Sequence, residues 1–492
     1  MKKVVFSFVS ILSLSMLLVG CSTKEKADNE KDDTYTVTMV LAGSQQDDEE
    51  RIEGKINEIL EPALNAKLDL VVLPFGSAAQ QRQLMLSGNE NIDTFYIGLN
   101  DAINFMNAGQ IVDMSDLVKK HGKNINEIFE EEELSANTIN GFTLGVPAQI
   151  ERGDIPAVYL RKDLVEKYKI DLTKIKKPAD LEEIYATVKA GEPEMDMLYS
   201  SGTDNTPIDR LQRVDDIGGG LGVLMDPVNS TKVENLFASD WYMETTKTIY
   251  EFYQNGYINK DAATNSEDWR TLLKNGNLFS VFYTYHPATP TEFKTSTGYD
   301  FEIVKFEENA LKKSTAYGSV MFSIAQNSEN PEKTMQVLDY IYGSEDIMNL
   351  LNWGEEGTDY VFIDKDNGLI NYPEGTDLDS VGYSLNLGWE LPNQFISHLW
   401  EGSDPNQWNN MKVFNDEAEV SQALGFLFDR SGYETTIAAL DNVTKQYQGT
   451  INSGTVDPEK YIPEFLDALE KAGVQEIIDA KQEQLDEWLK TK

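Results

Sequence analysis

The chain has 492 residues, of which 42 are basic and 83 acidic, and its formal net charge at pH 7 is −41. A surface of that sign repels phosphate backbones, so nucleic acid is excluded as an expected partner and neutral or cationic ligands are favoured. Apolar residues make up 40% of the chain and aromatic residues 10%. This composition can fill the cores of roughly two to four domains and excludes a disordered chain.

The amino terminus has the pattern of a secretory signal. Lys2 and Lys3 precede an apolar run that closes with the sequence LVGC, and its Cys21 is the only cysteine of the chain. A charged start, a short apolar stretch and small residues before a cut are typical of a signal peptide, here residues 1–20. The segment resembles the lipobox of bacterial lipoproteins, which implies that Cys21 becomes the first residue and carries a diacylglyceryl anchor. A plain signal peptide or a signal anchor is the alternative.

Residues 21–33 are predicted to be a disordered tether. They mix charges of both signs and lack any apolar periodicity. Fully extended, a tether of this length would reach about 40 Å. It would therefore hold a folded body clear of lipid headgroups.

The folded part is predicted to begin with strands that alternate with helices. We expect strands over 35–41, 68–73 and 92–99, and helices over 52–64, 77–88 and 101–108. Ser77 and Gln80 fit a capping box at the start of the second helix, and Gly88 fits its end. This alternation predicts a parallel sheet covered on both faces, which is an α/β lobe.

The second half repeats the mixture of strands and helices. We expect strands over 278–285, 301–306 and 319–325, and helices that begin at Pro331, Pro458 and Val474. Asn330 before Pro331 is a favourable N-cap. The glycine-rich run 218–222 lacks the Lys-Ser/Thr of a phosphate-binding loop, so it is interpreted as a flexible loop.

This layout resembles the extracellular solute-binding proteins of bacterial ABC importers, in particular the sugar-binding, lipid-anchored branch with an enlarged C-terminal region. Beside the lipobox, the segments that carry the resemblance are QQRQLMLSGNENIDTFYIG (80–98), GVPAQIERGDIPAVYLRKDL (145–164), NWGEEGTDY (352–360), GWELPNQF (388–395) and KAGVQEIIDAKQEQLDEWL (471–489). The resemblance implies an α/β, two-lobed periplasmic-binding-protein-like fold of type II. Its ligand cleft would lie between the lobes, and additional helices would follow at the C-terminus.

The resemblance also implies that the chain crosses between the lobes three times. We expect the crossings near 151–154, 317–319 and 354–357. Lobe 1 would then comprise 34–152 and 319–354, and lobe 2 would comprise 153–318 and 355–492 with the C-terminal helical region. Lobes of this kind close on a ligand by hinge motion.

A saccharide site needs aromatic faces beside fixed hydrogen-bonding groups. Three clusters offer both, namely Tyr283 and Tyr285; Trp353 with Glu355 and Glu356; and Trp389 with Asn393 and Gln394. The resemblance places a stacking aromatic at the end of the strand that holds the two tyrosines. Each cluster could instead belong to a core or to an ordinary surface.

Lobe 1 offers four further candidates. Phe75 and Gly76 follow the second expected strand, Asn100 follows the third, and Gln149 precedes the first crossing. In open α/β sheets, ligands lie outside the carboxyl ends of the strands. The alternative is that these are ordinary turn residues.

The hypothesis is therefore a receptor without enzymatic activity that captures a carbohydrate, in particular an oligosaccharide, and delivers it to the transmembrane subunits of an ABC permease. It would act as a monomer, lipid-anchored at the extracellular face of the membrane, without a cofactor or metal. The three histidines are scattered and form no zinc pattern. A surface-anchored glycoside hydrolase remains an alternative, because any two of the many carboxylates could form a catalytic pair. A peptide or amino-acid receptor on the same fold is the other alternative.

Overall fold

The computed structural model describes residues 34–88, 90–202, 206–265, 267–378 and 380–492. The expected signal peptide 1–20, the lipidation site Cys21 and the whole tether 21–33 lie outside these ranges. Among the described residues, every helix is too short or too polar to cross a membrane.

The strands agree with the expected positions in the first lobe and in the second half. In chain order they are β1 Tyr35–Ala42, β2 Ala66–Leu73, β3 Thr94–Ile97, β4 Thr138–Ile139, β5 Phe142–Thr143, β6 Val146–Pro147, β7 Ile155–Arg161, β8 Asp196–Leu198, β9 Val223–Leu224, β10 Val233–Glu234, β11 Leu278–Tyr285, β12 Phe301–Lys305, β13 Leu311–Lys312, β14 Met321–Ile324, β15 Val361–Asp364, β16 Leu369–Asn371, β17 Leu399–Trp400 and β18 Glu419–Val420.

Helices connect the strands and form the C-terminal region. In chain order they are α1 Glu49–Leu64, α2 Phe75–Ser87, α3 Leu99–Asn107, α4 Ser115–His121, α5 Lys123–Ile128, α6 Glu131–Ser135, α7 Lys162–Tyr168, α8 Glu182–Gly191, α9 Pro207–Leu211, α10 Asp240–Gln254, α11 Trp269–Lys274, α12 Thr289–Thr297, α13 Pro331–Gly343, α14 Glu345–Trp353, α15 Gln407–Asp416, α16 Glu434–Asn452, α17 Pro458–Ala472 and α18 Val474–Leu489.

Helix boundaries follow local capping chemistry. The side chain of Asn330 accepts a hydrogen bond from the Lys333 amide at 3.1 Å and begins α13 as expected. The expected capping box at Ser77 is wrong, because α2 already begins at Phe75, directly after Pro74. Pro74 carries no amide hydrogen and fits naturally at the edge of a helix.

Lobe 1 is built on a five-stranded sheet in the order β2-β1-β3-β14-β6. The pairs β1–β2 and β1–β3 are parallel, whereas β14 runs antiparallel to both of its neighbours. Apolar side chains fill both faces, with α1, α13 and α14 over one face and α2 and α3 over the other. The expected α/β lobe is confirmed, with one antiparallel strand that arrives from the second half of the chain.

Lobe 2 is built on a four-stranded sheet in the order β12-β7-β11-β8. Here β7 is antiparallel to both neighbours, and β8 is parallel to β11. The C-terminal helices α16, α17 and α18 pack against this lobe through apolar side chains such as Phe465, Leu469 and Ile477, each at most 1% exposed. The C-terminal helical region is therefore part of the second lobe's core.

The segment from 355 to 400 belongs to lobe 1, so its expected placement in lobe 2 is wrong. Tyr383, Leu385, Leu387 and Leu391 lie in the same core cluster as β1 and α14. The Tyr383 hydroxyl donates to the carbonyl of Leu351 at 2.8 Å. Apolar burial in a core of this kind stabilises about 1.5–3 kcal/mol per large side chain, which fixes the segment to lobe 1.

A buried guanidinium joins the crossovers. The chain leaves the first sheet after β6 and returns after β13, and Arg152 lies in the first of these connections at 5% exposure. It donates to the carbonyls of Ala148 and Ala316, and its guanidinium lies 4.7 Å from the Tyr317 ring centroid. Asn415 of α15 accepts the Arg152 main-chain amide at 2.7 Å, so α15 packs against the first crossover. Because residues 383–396 pack in the lobe 1 core, the third crossing follows them and does not lie near 354–357.

Candidate functional site

The carboxyl ends of β1, β2 and β3 form one edge of the lobe 1 sheet. Phe75 follows β2 and is 53% exposed, which is unusual for a large apolar side chain. Gly76 is the next residue of α2, and a side chain there would meet no neighbouring atom within 4 Å. Asn100 lies in the first turn of α3, directly after β3. The parallel strands thus bring three of the expected ligand residues to one edge.

The segment 355–400, which belongs to lobe 1, brings Trp389 to this edge. Trp389 is 40% exposed, whereas the next residue, Glu390, is fully buried. Glu390 Oε1 accepts the amide of Ala42 at 2.6 Å, where β1 ends. This hydrogen bond holds Glu390 at the end of β1, so the exposed Trp389 lies in the chain directly beside the strand ends.

Glu390 is a buried carboxyl in an unusual setting. Burial raises its pKa to about 8, and the Ala42 amide and the charge of Arg82 only partly oppose that rise. Its Oε2 is buried and has no hydrogen-bond partner among the described residues. At neutral pH the group is therefore mostly protonated, and it can donate a hydrogen bond as well as accept one.

Arg82 of α2 supports the same edge from below. It is 5% exposed and donates to the carbonyl of Tyr96 at 3.3 Å and to Asp101 at 3.4 Å. Burial, followed by the charge of Glu390, raises the pKa of Tyr96. One basic group, Arg82, and one acidic group, Glu390, are thus buried at the edge that carries the exposed Phe75 and Trp389.

Lobe 2 contributes the end of β11, where Tyr283 and Tyr285 are half-buried. The Tyr283 ring packs at 5.8 Å from Trp269, and the guanidinium of Arg210 lies 4.5 Å from its centroid. Tyr285 contacts Phe414 of α15 at 6.3 Å. Both rings are largely engaged by protein neighbours, and each leaves only part of its surface for a ligand.

A cavity of about 390 Å³ lies between the two lobes. Lobe 1 lines it with 98–101, the second crossover with Thr315, Gly318 and Ser319, and lobe 2 with Asp216, Gly218 and Gly219. Arg430 spans the gap, since its Nη2 donates to Asn100 Oδ1 at 2.9 Å and to the Gly218 carbonyl at 2.6 Å. Asn100 thus lies at the cleft and takes part in contact between the lobes, and its role in binding a ligand stays a prediction.

The lobe 2 wall of this cavity is a loop of residues 216–222, which we call the glycine loop. Gly218 and Gly219 have φ values of +87° and +134°, a conformation that favours glycine. Lys481 of α18 is 1% exposed and donates to the carbonyls of Asp216 at 2.9 Å, Gly222 at 3.0 Å and Gly219. The glycine loop is therefore pinned by a buried amine, and the expectation of a flexible loop is wrong.

Gln149, Asn393 and Gln394 connect two segments of the fold by hydrogen bonds. The main-chain amide of Gln149 donates to the Pro392 carbonyl at 2.8 Å, and the main-chain amide of Gln394 donates to the main-chain carbonyl of Gln149 at 3.0 Å. Asn393 is 5% exposed and donates to the Tyr342 carbonyl at 2.9 Å. Its amide group is thus used by the fold, which contradicts its expected ligand role, while Gln394 Oε1 has no partner among the described residues.

The cluster around Trp353 is also structural. Trp353 is 7% exposed, donates to the His398 carbonyl at 3.2 Å and lies 5.4 Å from the Trp400 ring. Glu355 pairs with Lys55 at 2.9 Å, and Glu356 pairs with Lys365 at 3.0 Å. Glu355, Glu356 and Lys55 line a depression to which no residue of the lobe 2 sheet contributes, and Trp353 does not line it. The expectation that Trp353 offers a stacking face to a ligand is therefore wrong.

Four residues of the site escaped the sequence reasoning, namely Arg82, Glu390, Arg430 and Lys481. The partners of three of them lie far away along the chain: 348 residues separate Ala42 from Glu390, 330 separate Asn100 from Arg430, and 265 separate Asp216 from Lys481. Only the position of Glu390 beside Trp389 offered a local signal.

Comparisons with known proteins agree with this architecture. A family described as a domain of unknown function (DUF3502) matches residues 422–490. A carbohydrate ABC transporter substrate-binding protein of Streptococcus pneumoniae is 28% identical over 499 residues, which cover 100% of this chain and 99% of the relative.

Solved structures give the same result. The crystal structure of the N-glycan transport solute binding protein NgtS from Streptococcus pneumoniae has a TM-score of 0.82 at 27% identity and covers 93% of this chain and 99% of that chain. Structures of NgtS with Man1GlcNAc and with Man5GlcNAc each have a TM-score of 0.74. The alginate-binding protein AlgQ2, at 16% identity and a TM-score of 0.63, shares the fold.

The fold and these full-length matches define the class. The chain is a solute-binding protein of the ABC-importer type, which confirms the family predicted from the sequence. Proteins of this class are carriers without catalytic activity, and the comparisons give no support to a hydrolase or a peptide receptor.

The buried carboxyl gives a pH prediction. The pKa of Glu390 in the folded chain is about 8, above its ordinary value of 4.5. Its contribution to stability is therefore full below pH 4.5 and is lost as the pH rises through 8. Glu390→Gln keeps a neutral group, so we expect it to be more stable than the parent at pH 9 by on the order of 3 kcal/mol and equal to it at pH 4.5.

Urea denaturation across this pH range measures the difference. Glu464→Gln, at an exposed position of α17, is the matched control and should follow the parent. Parallel pH profiles for the parent and Glu390→Gln would contradict the assignment.

The pinned loop gives a second prediction. Lys481→Met keeps an unbranched side chain but removes the donors to three carbonyls, and unpaired buried carbonyls cost about 1–3 kcal/mol each. We expect amide hydrogen exchange in 216–222 to rise about tenfold or more. Leu485→Ala, in the same helix and fully buried, is the control, because it costs about 2–5 kcal/mol without touching the loop. Equal protection of the loop in the two variants would show that Lys481 does not hold it.

Proposed function

We propose that this chain captures a neutral oligosaccharide that contains mannose and N-acetylglucosamine, and delivers it to the transmembrane subunits of an ABC permease. The observation that carries the proposal is the exposed Trp389, which directly precedes Glu390, the residue that accepts the Ala42 amide at the carboxyl edge of lobe 1. Phe75 and Asn100 lie at the same edge. A stacking face beside polar groups is the arrangement that a pyranose needs.

The kind of saccharide is supported by the relatives. NgtS is an N-glycan transport protein, and it matches this chain over nearly the whole length of both. Its structures with two mannose–N-acetylglucosamine glycans share 27% and 28% identity with this chain. The charge of −41 also favours a neutral ligand over an anionic one.

The lobes close on the glycan in this proposal. The TM-score falls from 0.82 to 0.74 against the two glycan complexes, although identity and coverage hardly change. A different angle between the lobes would produce such a fall, which supports a hinge at the crossovers.

Location follows from the amino-terminal sequence. We infer that the mature chain begins at a lipidated Cys21, is held at the extracellular face of the membrane by the tether 21–33 and acts as a monomer. Mass spectrometry of the mature protein tests the anchor, since an unmodified Cys21 would contradict it.

Isothermal calorimetry with Man1GlcNAc and Man5GlcNAc tests the ligand. We expect saturable binding, and we expect the glycans recovered afterwards to be unchanged in mass. Binding of neither glycan would contradict the proposed ligand class, and release of shorter products would contradict a carrier.

Trp389 provides the sharpest test of the site. Trp389→Ala removes an aromatic anchor, which costs about 2 kcal/mol of binding or more, or about thirtyfold in affinity. Its melting temperature should stay close to that of the parent, because the ring is exposed. Trp353→Phe is the comparison, since it should lower the melting temperature and leave affinity unchanged. The reverse pattern would move the site away from Trp389.

A further inference from the structure

A second cavity, of about 310 Å³, lies inside lobe 2 beside the cleft. The glycine loop borders both cavities, because Gly218 and Gly219 line this cavity and also the one between the lobes. Arg430 lines the second cavity and also reaches Asn100 across the cleft. The two spaces are therefore neighbours that share one short loop.

Helix α16 presents a regular stripe to this second cavity. Ile437, Asp441, Thr444 and Gln448 line it at spacings of four, three and four, which place them on one face of the helix. Thr444 Oγ1 is buried and lacks a hydrogen-bond partner among the described residues. An unpaired buried hydroxyl is costly to the folded chain unless another molecule satisfies it.

The other walls supply the rest of a saccharide site. Asp209 and Gln212 approach from α9 and the residue that follows it, and Phe237 and Phe428 add apolar ring surface. Carboxylate and amide groups with aromatic rings match the hydroxyls and the C–H faces of a pyranose. Arg210, also of α9, packs on Tyr283 at the end of β11. Helix α9 therefore lies between the end of β11 and the cavity.

We propose that this cavity is a second saccharide subsite, which holds the outer residues of a branched or long oligosaccharide whose first residues lie between the lobes. The proposal rests on the proposed function and adds to it a preference for size. It also assigns a role to the helical region 422–490: α16 and α18 form a wall of the site.

Two conservative variants test the subsite. Thr444→Val removes the hydroxyl at constant shape, and Gln448→Leu removes the amide at similar volume. Gln446→Leu is the matched control, because it makes the same change at an exposed position of the same helix, outside the cavity. Calorimetry uses Man1GlcNAc as the short probe and Man5GlcNAc as the long one, and melting temperature monitors the fold.

We expect each subsite variant to weaken Man5GlcNAc binding about tenfold, to change Man1GlcNAc binding less than twofold, and to leave the control at parental affinity for both. Equal losses for the two glycans, or no loss for either, would overturn the subsite while leaving the carrier function intact. A parent that binds neither glycan would overturn both proposals.

Discussion

The hydrogen bonds from Lys481 to three carbonyls of the glycine loop are the contact on which the cleft depends. The loop forms the lobe 2 wall of the cavity between the lobes, and its Gly218 carbonyl positions Arg430 against Asn100. Lys481 and Arg430 both lie within 422–490, the region matched by a domain without an assigned function. In this chain that region contributes to the shape of the cleft, because it holds the loop that lines it.

Among the described residues, the fold buries four basic side chains, Lys481, Arg82, Arg152 and Arg161, and each of the four donates to a main-chain carbonyl. Burying a polar group is costly unless its donors are satisfied, and loops and crossovers offer carbonyls that no helix or strand uses. Lys481 and Arg152 bind such carbonyls in a loop and at the crossovers, whereas Arg82 donates to Tyr96 of β3. The acidic excess remains at the surface, which leaves the cleft suited to neutral ligands.

Local patterns predicted local structure well. The strand 278–285 has the predicted bounds and the last helix begins at the predicted Val474, because apolar periodicity and capping residues act over a few positions. The placement of 355–400 in lobe 2 was predicted wrongly, since apolar residues of this segment such as Tyr383 and Leu391 could pack in the core of either lobe. Sequence patterns indicate that a side chain will be buried. They do not identify the residue that it packs against, which can lie hundreds of positions away, as with Ala42 and Glu390.

The two tryptophan clusters show the same limit within the site. Trp353 and Trp389 both have polar neighbours in the sequence, yet one is buried against Trp400 and the other is exposed. At the turn before Trp389, a Cβ atom on Gly388 would lie 3.1 Å from the Gln394 side chain, so the backbone packs closely there. Glu390 is fully buried and accepts the Ala42 amide, whereas Trp389 directly before it is 40% exposed. The exposure of each tryptophan is thus set by contacts of its neighbours with distant parts of the chain, which the local sequence does not show.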